Sequence, residues 1–140
     1  MTSTPPPDSA TARSIRVSAA VITDADGRLL LVRKAGTTAF MQPGGKPEAG
    51  EDAAQTLIRE LNEEIGLRLT GADLTPLGEF TAPAANEPGF AVVADVFRVD
   101  IGDQQPATDA EIEELRWVDR ASASDLEVAP LAAAYFLPER

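Results

Sequence analysis

Three glutamates lie close together near the end of one predicted helix: Glu60, Glu63 and Glu64, within the run Arg-Glu-Leu-Asn-Glu-Glu. In an α-helix the i, i+3, i+4 spacing places all three carboxylates on one face. Like charges at these spacings each destabilise a helix by about 0.2–0.5 kcal/mol, and the helix dipole disfavours anions near the C-terminal end. A divalent cation would remove this penalty. Because carboxylate oxygens suit hard cations, Mg²⁺ or Mn²⁺ is the predicted ligand.

The helix that carries these glutamates is predicted from about Asp52 to Ile65. Gly50-Glu51-Asp52 before it is typical of a helix start, and Gly66 after it matches a left-handed C-terminal cap. An apolar stripe runs beside the acidic row, so the row borders the buried face of the helix. The stripe consists of Ala54, Leu57, Ile58, Leu61 and Ile65.

A glycine-rich loop leads into this helix, and the two together carry a specific pattern. Its fixed members are Gly45, Glu51, Arg59-Glu60-Leu61, Glu63-Glu64 and Gly66-Leu67. The pattern resembles the signature box of the Nudix hydrolases, with all nine fixed positions occupied over twenty-three residues. The resemblance implies the family's α/β fold, an α/β/α sandwich with a mixed β-sheet. It also implies hydrolysis, dependent on Mg²⁺ or Mn²⁺, of a nucleoside diphosphate linked to another moiety.

The resemblance further implies roles for residues of the box. The family's matching glutamates hold divalent cations, so Glu63 and Glu64 are expected as ligands. Glu60 is expected either as a ligand or as the base that activates water, and the sequence does not divide these roles. A backbone carbonyl of the loop also reaches the metal, and Gly44 is our choice for it. Arg59 is expected to orient a catalytic carboxylate, because a cation makes no sense as a direct metal ligand.

Candidates for contact with the substrate lie before and within the loop. Lys46 either steers a phosphate or is merely exposed, and Glu51 occupies a family position that helps fix the loop to the helix. Arg33 is a candidate for contact with the distal phosphates, together with Arg16 and Lys34. Four aromatic residues are candidates for stacking a base, although core packing is the safer interpretation for most of them. They are Phe40, Phe90, Phe97 and Trp117.

A further catalytic acid is expected from the resemblance, in a loop beyond the box whose position varies among family members. Glu111, just before a predicted strand over residues 115–118, is our candidate. Glu87, in the loop that ends at Gly89, is the rival. For each of them, an ordinary exposed loop acid is an equally good interpretation.

The composition of the 140-residue chain limits the chemistry. It contains no cysteine and no histidine, which excludes disulfides, thiolate or imidazole metal sites and a Ser-His-Asp triad. Proton transfer must therefore fall to carboxylates, lysine, tyrosine or water. The net charge of −11 disfavours duplex nucleic acid or an anionic membrane as a partner. A phosphorylated small molecule is still compatible with it, if metal ions or local lysine and arginine receive the phosphates.

The chain is predicted to form a single Nudix hydrolase domain over residues 15–140, preceded by a disordered tail over residues 1–14. No apolar run approaches the roughly 18–20 residues that span a bilayer, and the N-terminus lacks a secretory signal, so a cytoplasmic location is expected. Alternation and turn signals predict the remaining elements. They are strands over 15–23, 28–33, 75–81, 90–99 and 115–118, a helical segment from Asp119 toward Leu126, and a helix over 131–137.

Two other functions are weighed against hydrolysis. The first is a catalytically silent Nudix-like sensor that binds a nucleotide, although such proteins usually show a degraded box. The second is an acidic metal-buffering domain without a nucleotide site. Within the hydrolase interpretation, the small size of the chain favours an NTP pyrophosphatase. The nucleotide and the oligomeric state are left open, although a homodimer is common in the family.

Overall fold

A computed structural model describes residues 13–85 and 87–139, which form six strands, two α-helices and one short 3₁₀ helix. Residues 1–12 of the predicted tail lie outside the described residues, and Ser14 already begins the first strand. The strands are β1 (Ser14–Val21), β2 (Leu29–Lys34), β3 (Gly44–Gly45), β4 (Leu74–Pro83), β5 (Ala91–Val99) and β6 (Ile112–Val118). The helices are α1 (Ala53–Ile65) and α2 (Pro130–Tyr135), with the 3₁₀ helix at Gly71–Asp73.

The strands form one mixed sheet and one antiparallel pair. The mixed sheet has the order β3-β1-β5-β4, in which β1 and β5 are parallel and the other neighbours are antiparallel. The antiparallel pair joins β2 to β6. The prediction of an α/β fold with a mixed sheet is therefore confirmed.

Side chains of β1 alternate between two buried clusters, as a strand covered on both faces requires. The first cluster contains Ala19 and Val21 of β1 with Leu131 and Ala132 of α2. The second contains Ala20 of β1 with Leu57, Leu61 and Ile65 of α1. These three side chains of α1 are fully buried, and each stabilises the fold by about 1.5–3 kcal/mol relative to exposure. The sheet thus lies between the two helices, as the resemblance implied.

Both ends of α1 are fixed by residues that the sequence identifies. Asp52 forms a capping box with Gln55, in which each side chain accepts a hydrogen bond from the other residue's backbone N–H. At the other end Gly66 has a φ of 75°, and its N–H donates to the carbonyl of Asn62. The predicted helix and its two boundaries are therefore confirmed.

Two predictions about the C-terminal part of the chain are wrong. The segment from Asp119 toward Leu126 forms turns and no helix. Asp119 does accept from the Ser122 N–H as a cap would, but Ser124 and Leu126 then donate to carbonyls three residues back, so no regular helical ladder follows. Strand β6 begins at Ile112, three residues before the predicted start. Its early residues Glu113 and Glu114 form ion pairs with Arg33 of the neighbouring strand. These ion pairs accommodate an acidic segment within a β-strand, although its polar sequence is typical of a loop.

Neither helix in the described part of the chain is both long enough and apolar enough to cross a bilayer.

Candidate active site

The glycine pair of the loop brings the backbone against the glutamates of α1. The Gly44 N–H donates to a carboxylate oxygen of Glu64 at 3.2 Å. A Cβ atom at Gly45 would overlap the Glu60 carboxylate, and one at Gly44 would overlap the backbone carbonyl of Ser18. Gly44 also has a φ of 150°, a conformation that side chains disfavour. Only glycine at both positions lets the loop approach β1 and α1 this closely.

Arg59 and Glu51 clamp the loop to the helix. Arg59 Nε donates to Glu51 Oε2 at 2.6 Å, and its Nη2 donates to Glu51 Oε1 and to the Lys46 carbonyl, both at 3.0 Å. The Arg59 guanidinium, with a smaller contribution from the Glu48 N–H, lowers the pKa of Glu51 to about 2. Glu51 is therefore an ionised structural partner of Arg59, and it is not among the residues that line the cavity.

The remaining nitrogen of Arg59 faces the row of glutamates. Its Nη1 lies 3.1 Å from Glu60 Oε2 and 3.3 Å from Glu63 Oε1. Arg59 thus connects the loop to two of the three carboxylates, as a residue that orients them would.

The three glutamates of α1 lie in different surroundings. Glu64 is only 2% exposed, and its burial raises the pKa of its carboxyl group to about 8. Burial also raises the pKa of Glu60, whose side chain is 16% exposed. Glu63 is 54% exposed. Burial therefore makes charge costly at both residues, and at Glu60 the neighbouring Arg59 offsets only part of this cost.

The donor atoms at this place suit a hard divalent cation. Glu64 is a buried carboxylate that accepts one hydrogen bond from a backbone N–H, and Glu60 lies beside the glycine pair. Every side-chain atom that could ligate a cation here is therefore an oxygen. Within residues 13–85 and 87–139, no three acidic side chains are yet grouped closely enough to hold an ion, since Arg59 engages Glu60 and Glu63. The chemistry of the residues fits a metal, because Arg59 contacts one oxygen of each of these two carboxylates and leaves the other oxygen for a cation.

Glu111 is brought to the same place by a tight turn. The Asp109 N–H donates to the Glu64 carbonyl at 3.0 Å, and the Ala35 N–H donates to the Glu111 carbonyl at 2.8 Å. Between them Ala110 has a φ of 51°, a left-handed conformation that is strained for alanine. The turn therefore ties Glu111 both to the end of α1 and to the end of β2.

A cavity of about 400 Å³ opens beside these groups. Its charged lining residues are Lys34, Lys46, Glu60, Glu87 and Glu111. Much of the remaining lining is aliphatic, with Ile15, Val17, Val92, Leu131 and Ala132 among its members. No aromatic side chain lines the cavity in the described part of the chain, and Phe40 and Phe97 are buried in the two cores. A base bound here would lie against aliphatic surfaces.

The structure separates the two basic residues at the end of β2. Arg33, a predicted contact for phosphates, binds Glu113, Glu114 and the Thr37 carbonyl, and it does not line the cavity. Its neighbour Lys34 does line it. Successive residues of a strand point to opposite faces, so the sequence could have indicated that only one of the two reaches the site.

Sequence reasoning missed Gln42, which lines the cavity and is only 7% exposed. Its Nε2 donates to the Ala20 carbonyl at 3.0 Å, whereas its Oε1 has no hydrogen-bond partner among the described residues. The sequence could have indicated Gln42, because it is a polar residue between Met41 and Pro43 and lies next to the glycine pair.

Comparison with known proteins identifies the family. The chain belongs to the Nudix family, because the model of the NUDIX domain matches residues 13–139. The MutT protein from Methanosarcina mazei is 26% identical with a TM-score of 0.66, and the match covers 89% of this chain and 88% of that one. The solution structure of the E. coli ORF135 protein is 27% identical with a TM-score of 0.63, covering 84% of this chain and 82% of that one.

Two curated relatives have named activities. An 8-oxo-dGTP diphosphatase of Haemophilus influenzae is 38% identical over 73 residues, which are 49% of this chain and 54% of the relative. An RNA pyrophosphohydrolase of Halorhodospira halophila is 43% identical over 58 residues, which are 41% of this chain and 31% of the relative. The matched part is thus about half, or less, of the length of these two proteins.

Proposed function

We propose that this protein is a divalent-metal-dependent hydrolase of the pyrophosphate bond in a nucleoside diphosphate linked to another moiety. One observation carries the proposal. The buried Glu64 and the half-buried Glu60 lie against the glycine pair, beside a cavity that two lysines also line. Such a site offers carboxylates for a cation and ammonium groups for phosphates around one cavity. The family and its named relatives support the same reaction class.

Glu60, Glu63, Glu64 and the Gly44 carbonyl are the groups that would hold Mg²⁺ or Mn²⁺. When bound, the cation supplies charge neutralisation for phosphate oxygens and acidifies a nearby water. Lys46 and Lys34 line the cavity and would bind phosphate oxygens. Arg59 keeps the loop on the helix and orients Glu60 through its 3.1 Å contact. Arg33 has no part in this scheme, because its guanidinium is already bound to Glu113 and Glu114.

The reaction is attack of water on one phosphorus of the diphosphate bridge. A bond forms between the water oxygen and that phosphorus, the bridging P–O bond breaks, and the other phosphate group leaves with the bridging oxygen. The chain has no histidine, and the carboxylates beside the cavity are the groups to which we assign the proton of the water. Glu60 and Glu111, which line the cavity, and Glu64, which lies against the glycine pair, are the candidates.

The proposed substrate is a small nucleotide, with a nucleoside triphosphate favoured. The cavity of about 400 Å³ falls within the range of small-molecule sites. The name of the Haemophilus relative points to a nucleoside triphosphate, and the net charge of −11 argues against a nucleic acid duplex. The cytoplasmic location and the homodimer stay predictions.

The test compares Glu64→Gln with the wild-type protein on nucleoside triphosphates, ADP-ribose and dinucleotides, with Mg²⁺ and with EDTA. We expect the variant to lose on the order of 10²–10⁴ in kcat/KM on whichever substrate the wild type cleaves. Glu79→Gln is the matched control, because Glu79 pairs with Arg16 on the exposed surface of the sheet and should leave the activity unchanged. Equal cleavage by Glu64→Gln and wild type would refute the proposed site.

A catalytically silent nucleotide sensor is the second candidate. The observation that favours it is the engagement of Glu60 and Glu63 by Arg59, whose positive charge already offsets part of the negative charge that a metal would need. The same substrate panel decides between the two. Tight nucleotide binding by calorimetry, without any product by chromatography in the presence of Mg²⁺ or Mn²⁺, would identify a sensor.

A further inference from the structure

Lys34 lies among the acidic groups of the candidate site. We propose that Lys34 is an internal counter-ion of the acidic cluster formed by Glu60, Glu64 and Glu111. Lys34 competes with the divalent cation for this cluster, and it is released to bind phosphate when the cation enters. This inference rests on the proposed function. It adds that metal binding and nucleotide binding are coupled through one side chain.

The backbone around Lys34 holds its side chain in this place. Lys34 is the last residue of β2, and the register of β2 against β6 shifts between Arg33 and Lys34. The extra residue is Glu113 of β6, so β2 keeps its ordinary alternation and Lys34 points to the face opposite that of Arg33. The next residue, Ala35, donates its N–H to the Glu111 carbonyl at 2.8 Å. Lys34 and Glu111 are therefore fixed as neighbours by the main chain.

Lys34 carries one positive charge in the neighbourhood of three carboxyl groups. Its ammonium group lies 3.6 Å from Glu111 Oε2. Burial raises the pKa values of Glu60 and Glu64, and the positive charge of Lys34 opposes part of both increases. One lysine thus acts on three carboxylates. Its side chain already lines the cavity and is 37% exposed, so it can move away from Glu111 without unpacking the core.

A divalent cation bound to these carboxylates would take over the role of Lys34. The metal ion and the ammonium group are both positive and would repel each other, so the lysine weakens metal binding as long as it stays beside Glu111. Once the metal is bound, the ammonium group is free for a phosphate oxygen in the same cavity. A nucleotide should in turn strengthen metal binding, because coupling between two ligands is reciprocal.

The test measures Mn²⁺ affinity by electron paramagnetic resonance, first without nucleotide. We expect Lys34→Met and Lys34→Gln to bind Mn²⁺ about three- to tenfold tighter than the wild type, because the competing charge is gone. Lys34→Arg should restore an affinity within about twofold of the wild type. Lys46→Met is the matched control, since Lys46 lines the same cavity but forms no ion pair with any described residue. Its affinity should change less than that of Lys34→Met.

The second measurement repeats the titration with a nucleotide whose bridging oxygen is replaced by methylene. The nucleotide should tighten Mn²⁺ binding to the wild type, and this gain should shrink by about threefold or more in Lys34→Met. Equal or weaker Mn²⁺ binding by both neutral variants, with the wild type binding well, would overturn the role of Lys34 alone. If neither the wild type nor the variants bind Mn²⁺, the proposed metal site fails as well. Thermal unfolding monitored by circular dichroism verifies that the variants are folded.

Discussion

Glu64 occupies an environment that is unusual for a carboxyl group. It is almost fully buried at the end of α1, where it accepts one backbone hydrogen bond and lies near the charges of Glu60 and Glu111. Burial is the largest cause of its raised pKa of about 8, and a carboxyl group of this kind is neutral near pH 7 unless a cation binds it. A pKa near the working pH is also what a general base requires.

The raised pKa of Glu64 predicts how the free energy of unfolding of the metal-free protein depends on pH. The folded state keeps the Glu64 proton up to about pH 8, whereas the unfolded chain loses it near the ordinary value of 4.5. The folded state therefore binds more protons between these values, and its free energy of unfolding must fall as pH rises through this window. We expect a loss on the order of a few kcal/mol between about pH 5 and about pH 8.

The measurement is urea unfolding with EDTA at several pH values in this range. Glu64→Gln should remove most of the decrease in the free energy of unfolding with rising pH. Glu60, whose pKa is also raised, should account for the remainder. Glu51 does not interfere, because its lowered pKa affects stability only as pH falls below about 4.5. A wild-type stability that is constant or rises over the window would contradict the burial of an ionisable Glu64.

At the scale of elements, the glycine loop and α1 depend on each other. The clamp of Glu51 and Arg59 holds the loop, and the two glycines allow it to touch both β1 and the glutamates. The two glycines differ in what a side chain would meet. At Gly45 it would meet the end of a flexible carboxylate, and at Gly44 it would meet the backbone of β1.

Alanine at these two positions should therefore have different effects. Gly45→Ala should keep most of the stability but displace Glu60, so kcat/KM should fall by about tenfold or more with a small change in melting temperature. Gly44→Ala should destabilise the fold by about 1–3 kcal/mol, because the backbone clashes and φ is unfavourable. Activity assays and urea unfolding of both variants separate the effects. A larger loss of stability in Gly45→Ala than in Gly44→Ala would disprove this account.

At the scale of the whole molecule, the acidic site is expected to make stability depend on metal. A ligand that binds only the folded state stabilises it by about 2.7 kcal/mol at a hundred times its dissociation constant. For a domain of this size that raises the melting temperature by about 5–10 °C. Because the carboxylates must be deprotonated to bind a cation, Mg²⁺ should raise it more at about pH 8 than at about pH 6.

Differential scanning fluorimetry with Mg²⁺, and with NaCl at the same ionic strength, measures this effect. Glu64→Gln should lose most of the increase, while Glu79→Gln should keep it. An equal increase in NaCl would show that general screening of the −11 net charge, and no specific site, accounts for the stabilisation.

The sequence by itself determined the features that depend on local spacing. Asp52 and Gly66 fix the ends of α1, and the i, i+3, i+4 positions of the glutamates put them on one face. The pattern around them was sufficient for the family and the fold class. These features need only the geometry of a helix and of a glycine turn, which are the same in any protein.

Only the tertiary structure decided what surrounds each of these residues. It made Glu64 buried and Glu63 exposed, directed Lys34 to the cavity and Arg33 away from it, and tied Glu111 to α1 and β2. Burial and charge pairing depend on segments that are far apart in the chain, such as residues 34 and 111, and no local pattern specifies which will meet. The roles of these residues in catalysis are proposals for this reason, whereas the helix that carries the glutamates followed from the sequence.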